Sequence, residues 1–198
     1  MRPTTRFAVL AASAAIALAT SACGSSDNSM QGSMSGTGGM ATSTSSATAT
    51  GESGDVAFAQ MMIPHHEQAV EMADLALGNA AASEDVKALA AQIKAAQDPE
   101  IQTMKGWLSQ WGATESTGPM DHGSGGMMSD DDMSSLMGAS GPEFDQMWLT
   151  MMIEHHEGAV TMAKDVLATT ANPDVEQLAT AVVAGQEKEI ATMQGMLS

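Results

Sequence analysis

Two copies of one short segment hold most of the reactive groups in this 198-residue chain. Met61-Met62-Ile63-Pro64-His65-His66-Glu67 returns as Met151-Met152-Ile153-Glu154-His155-His156-Glu157, and Met72 and Met162 follow five residues after each copy. Four of the five His in the chain lie in these segments. On a helix, residues four apart share a face, so Met61 sits over His65 and Met62 over His66, with Met151 and Met152 placed likewise over His155 and His156. Imidazole and thioether without thiol form a donor set that favours copper, Cu(I) above all, over zinc. Calcium and magnesium call for oxygen ligands instead. Neighbouring His residues point about 100° apart, so one of each pair is expected to face the core. His65 falls on the apolar stripe, which assigns His65 and His155 inward and His66 and His156 to the flank.

The elements that must position these groups arise by duplication. Residues 58–77 match 148–167 at 11 of 20 positions, and 86–108 match 175–197 at 11 of 23. An internal repeat of this length is the first fact any fold assignment must satisfy. In the first segment Phe58, Met62, His65, Ala69, Met72 and Ala76 recur every three to four residues, the mark of one helical face. Val86, Leu89, Ile93, Gln97, Ile101, Met104 and Leu108 do the same in the second. Ser83-Glu84-Asp85 and Pro173-Asp174 read as helix starts, and Gly78-Asn79 as a stop. Pro64 removes a backbone donor in mid-pattern, so a kink is expected there, and Pro99 poses the same question. Each half is thus a helical hairpin, and neither can bury its stripe alone. The expected fold is all-α: a four-helix, ferritin-like bundle of two duplicated hairpins about a pseudo-two-fold axis. Four His and four Met would then converge where the two first helices meet.

Groups around this centre have their own expected roles. Gln97 and Gln186 lie on the stripes of the second helices and need partners, either an imidazole or each other across the axis. Glu67 and Glu157 either orient His or face water. The chain has 19 Met, far above ordinary usage. Met30, Met34 and Met40 lie in a Gly/Ser/Thr-rich tether, and Met120, Met127, Met128, Met133 and Met137 in a Gly/Asp-rich linker with His122. Such segments offer no core to fill, so Met120, His122, Met127, Met128 and Met133 are expected to capture metal as auxiliary ligands. Asp130–Asp132 is expected to be a solvated loop.

Composition removes several classes of function. A net charge of −17 excludes a nucleic-acid backbone binder. A single Cys excludes an intrachain disulfide framework and a Cys-only zinc site. Arg2 and Arg6 precede an apolar run from Phe7 to Ala19 that is too short to span a bilayer. Small residues then lead to Cys23, a pattern that resembles a bacterial lipoprotein signal with acylation at Cys23. The expected organisation is a signal peptide at 1–22, a flexible tether at 23–54, and the duplicated bundle at 55–198. Within the bundle the repeats cover 55–111 and 143–198, joined by a Met/Gly/Asp-rich linker at 112–142. The protein is expected outside the cytoplasm and anchored to the cell membrane through lipid alone.

The motifs MMIPHHEQAVEMA and MMIEHHEGAVTMA, with the later Q-x-x-E-I-x-x-M, resemble the bacterial domain-of-unknown-function 305 family. The resemblance covers about 55–111 and 143–198 and carries over to Met62, His65, His66, Ala69 and Met72, and to Met152, His155, His156, Ala159 and Met162. It implies a ferritin-like fold and an exported or lipid-anchored protein, with copper binding in some members and no settled activity. The expected function is copper binding for sequestration or handover to a copper-transfer partner, without catalysis. Two other readings stay open: a helical protein-interaction module without metal, and a di-iron oxidase using Glu67, Glu100, Glu157 and Glu189. The oxidase site would want Glu-x-x-His, which the chain lacks.

Overall fold

In the computed structural model, residues 53–115 and 125–198 are described. The signal peptide, Cys23 and its acylation, the tether up to residue 52, Met120 and His122 lie outside them, and the last two residues of the expected tether begin the first helix. All regular structure among the described residues is helical, with no strand: α1 (Ser53–Gly78), α2 (Glu84–Trp111), α3 (Asp130–Gly138), α4 (Pro142–Leu167) and α5 (Pro173–Met196). None of these helices is long and apolar enough to cross a membrane. Local chemistry sets the ends as expected. The Ser83 hydroxyl accepts from the Val86 N–H and caps α2, and the Asn172 side chain accepts from the Asp174 N–H ahead of α5, with Pro173 in the first turn. Gly112 closes α2 in the left-handed region at φ 68°. Both α1 and α2 run unbroken through Pro64 and Pro99.

The helices pack as α1 on α2, α4 on α5, and α1 on α4, so the hairpins join through their first helices. Trp148 of α4 strengthens this junction: its indole N–H donates to the Met72 carbonyl of α1 at 2.8 Å, fully buried. The apolar core divides in two. One cluster takes Ala69–Ala76 of α1, Val86–Ile93 of α2 and Phe144–Met152 of α4, and the other Phe58–Ile63, Ile101–Leu108 and Ala159–Val166. Between them every helix of the bundle contributes polar groups at one level: His65 and His66, Gln97 and Glu100, His155 and His156, Gln186 and Glu189.

The linker departs from expectation. The Asp run is no loop but the first turn of α3, where Ser129 and Asp132 form a reciprocal capping box. Acidic groups at that end also complement the helix dipole. Leu136 and Met133 of α3 enter the core, as does Met128 just before it. The premise that this linker offers no core to fill therefore fails for Met128 and Met133, which are both buried. Met127 is partly buried in the same segment. Of the large apolar side chains of α3, Met137 alone stays out in solvent, 60% exposed.

Candidate metal centre

The antiparallel crossing of α1 and α4 brings the two doubled imidazoles together. The rings of His65 and His155 lie 3.8 Å apart between centroids, and those of His155 and His156 6.4 Å apart. All four His are buried, between 0% and 2% exposed. The flank positions expected for His66 and His156 are therefore corrected. A helix that packs on two neighbours buries two adjacent faces, and α1 touches both α4 and α2. His65 faces the α4 side, while His66 turns to α2, where its Nε2 meets Glu100 Oε2 at 2.8 Å. The second half repeats this: His156 Nε2 meets Glu189 Oε2 at 2.8 Å.

Of the two alternatives left open for Glu67 and Glu157, the outward one holds. Glu67 lies outside the layer and accepts from Lys105 Nζ at 2.7 Å, and Glu157 is exposed. The imidazoles take Glu100 and Glu189 instead. Their spacing was visible: each follows its buried Gln by three residues, on the face one turn away. Gln97 and Gln186 are buried at the same level, but both amide atoms of Gln97 and the Gln186 Oε1 are without hydrogen-bond partners. Neither the imidazole bond nor the Gln–Gln bond forms.

A further contact was not foreseen at all. Residues 125–128 cross the His layer as a strap. The Gly125 carbonyl accepts from His65 Nε2 at 2.8 Å. Three residues on, the Gln68 side chain grips the Met128 backbone twice, donating to its carbonyl and accepting from its N–H, both at 2.8 Å. On the α4 side the strap rests on Gly158, where any Cβ would collide with the Gly125 carbonyl. Gly126 takes φ 79°, a conformation that favours glycine. The signal for this lay in the repeat itself: Gly158 stands where the first copy has Gln68.

Burial determines the protonation of the inner pair. Desolvation pushes His65 down to about 3, aided by repulsion from His66 and His156 and opposed by the Gly125 carbonyl. Desolvation likewise holds His155 well below the ordinary range, with repulsion from His65, His156 and His66 added. Both rings are neutral at pH 7, the form in which imidazole binds metal. Nδ1 of His65, His66 and His156 and Nε2 of His155 are buried without partners. These orphaned nitrogens suit a cation that would complete them.

Of the expected sulfur ligands, Met62, Met72 and Met152 are fully buried, Met151 nearly so, and Met162 is partly buried beside the strap. Met61 is instead 50% exposed. Among the described residues, no three His, Cys, Asp or Glu side chains are arranged to close on a metal as they stand. A complete ligand shell would have to draw on thioethers or on movement of the side chains.

The family model described as Domain of unknown function (DUF305) matches residues 55–197. A DUF305 fragment from Deinococcus radiodurans superimposes with a TM-score of 0.70 at 32% identity, covering 75% of this chain and 97% of that one. CopM in its Cu(I)-bound form superimposes at 0.61 and 32% identity, covering 72% and 94%. In its Cu(II)-bound form the values are 0.64 and 33%, covering 72% and 95%. A curated relative, the uncharacterized protein L153 of Acanthamoeba polyphaga mimivirus, is 40% identical over 53 residues, 27% of this chain. The chain spans about a third of that relative, 35% of its length.

Proposed function

This chain belongs to the Domain of unknown function (DUF305) family, and we propose that it binds a soft metal ion, copper first, for sequestration or handover at the outer side of the membrane. The observation that carries this reading is the polar layer: four buried imidazoles with orphaned nitrogens, flanked by buried thioethers, at the junction of two repeated hairpins. The copper-bound forms of CopM, a protein of the same fold, support the choice of metal. His65, His66, His155 and His156 would hold the ion, with sulfur from Met62, Met72, Met151, Met152 and Met162, and Met61 at the solvent side. Copper is cargo in this reading, and the protein performs no catalysis. Export and anchoring at Cys23 follow from the apolar run and the small residues before that Cys. The acidic surface raises the local concentration of cations.

The test replaces all four His by Asn, which keeps a hydrogen-bonding side chain in the layer, and measures Cu(I) affinity by competition with a chromogenic chelator. The expected result is a loss of at least 100-fold while the helical circular dichroism is retained. Unchanged affinity would remove the His layer from the function. Radiolabelled fatty acid incorporated by the full chain, and lost in Cys23→Ser, is expected for the anchor.

A further inference from the structure

Every imidazole offers two nitrogens, and in three of these four rings one is already engaged. A carbonyl oxygen only accepts, so the 2.8 Å contact with Gly125 fixes the His65 proton on Nε2. His66 and His156 direct the same atom, Nε2, at the carboxylates of Glu100 and Glu189. On all three rings Nδ1 is buried with no partner. Orphaned N–H groups are rarer in protein interiors than orphaned acceptors, so the proton belongs on Nε2 and a lone pair on Nδ1. A carboxylate that accepts from one ring nitrogen also raises the basicity of the other. An ion bound at Nε2 would have to displace a carboxylate or a backbone carbonyl. An ion bound at Nδ1 displaces nothing.

Resting on the metal-binding reading above, we infer that soft ions bind His65, His66 and His156 through Nδ1, with Glu100, Glu189 and the Gly125 carbonyl as the positioning groups that keep the proton on Nε2. His155 is the exception, since its orphaned nitrogen is Nε2. The inner pair therefore presents opposite ring atoms across the pseudo-symmetric junction. On the His65 side the ring is held by a backbone segment outside the repeat, at Gly125.

The experiment uses the full chain labelled with ¹⁵N-histidine and Ag(I) as the probe, because silver nuclei couple to a directly bonded nitrogen. Before silver is added, long-range proton–nitrogen spectra should place the proton of His66 and His156 on Nε2. With silver bound, one-bond coupling should appear on Nδ1 of those rings. Coupling on Nε2 of His66 or His156 overturns the inference and leaves the binding reading intact. If the bundle His bind no silver at all, the binding reading falls and the inference with it. Glu100→Gln and Glu189→Gln weaken the acceptor but keep its shape. Each should lower silver affinity about 10- to 100-fold and leave the neighbouring ring a mixture of tautomers, with helicity unchanged. A drop in affinity with the tautomer intact would reduce Glu100 and Glu189 to structural roles and overturn the positioning assignment.

Discussion

The two hairpins hold the same polar layer yet meet different surroundings. At the pair Gln68 and Gly158, one half grips the strap with a side chain and the other makes room for it by having none. At the pair Phe58 and Trp148, only the second half sends a hydrogen bond across to its partner helix. At the pair Met61 and Met151, one thioether faces water and the other is nearly buried. The His-Glu contacts, by contrast, are equal in both halves at 2.8 Å. Duplication preserved the His, Gln and Glu groups inside the layer, while positions around it diverged, among them the one where the linker lies across α4.

The largest effect should come from acid, which acts on both halves at once. His65 and His155 are depressed in the folded apo-protein, whereas the unfolded chain protonates near 6.5. Between those values the unfolded state binds more protons, so stability is full above about pH 6.5 and is lost as pH falls toward about 3. Urea midpoints at pH 7 and pH 4.5 should differ strongly, and His65→Asn and His155→Asn should each flatten the difference. A response in only one of the two variants breaks the equivalence of the halves.

Next is the seat of the strap. Gly158→Ala should cost about 2–4 kcal/mol, because its Cβ meets backbone that no rotamer change can clear, and the strap's bond to His65 goes with it. The mirror change Gln68→Ala removes two hydrogen bonds and should cost roughly 1–2 kcal/mol. Equal costs in chemical denaturation would show that the strap is not seated asymmetrically. Trp148→Phe, which makes the second half more like the first, should cost about 1–2 kcal/mol from the lost bond to Met72 and the smaller ring. Lys105→Gln copies the counterpart residue Gln194. It removes only part-exposed ion pairs to Glu67 and Glu115, so the change should stay within about 0.5 kcal/mol.

Much of the bundle was legible because repeat, stripe and cap all pointed the same way: Ser83, Gly78-Asn79 and Pro173 fall where the helices turn. His65 and His155 were legible as inward groups for the same reason. His66 and His156 were misread because one stripe implies one buried face, whereas α1 packs on two helices. Glu100 and Glu189 were legible as candidate carboxylates but not as the imidazole partners, because Glu67 and Glu157 are nearer the His in sequence, although they lie on the solvent side of the helix. The strap and α3 were hidden by composition, since Gly, Ser and Asp read as solvated chain. The Ser129–Asp132 capping box was the clue within that tract, and the Gly158 substitution in the repeat was the clue opposite it.

The division of the core into two apolar clusters with imidazoles between them has a consequence for assembly. A uniformly greasy seam would let α1 slide past α4 by one turn, about 5.4 Å, with little penalty. In this seam such a slip would part His65 from His155, press both rings into alanine and methionine, and take His65 off the Gly125 carbonyl, while His66–Glu100 and His156–Glu189 stay paired within their own hairpins. The layer therefore acts as a key cut midway along the shaft: it admits one alignment of the two hairpins and rejects its neighbours before any ion arrives.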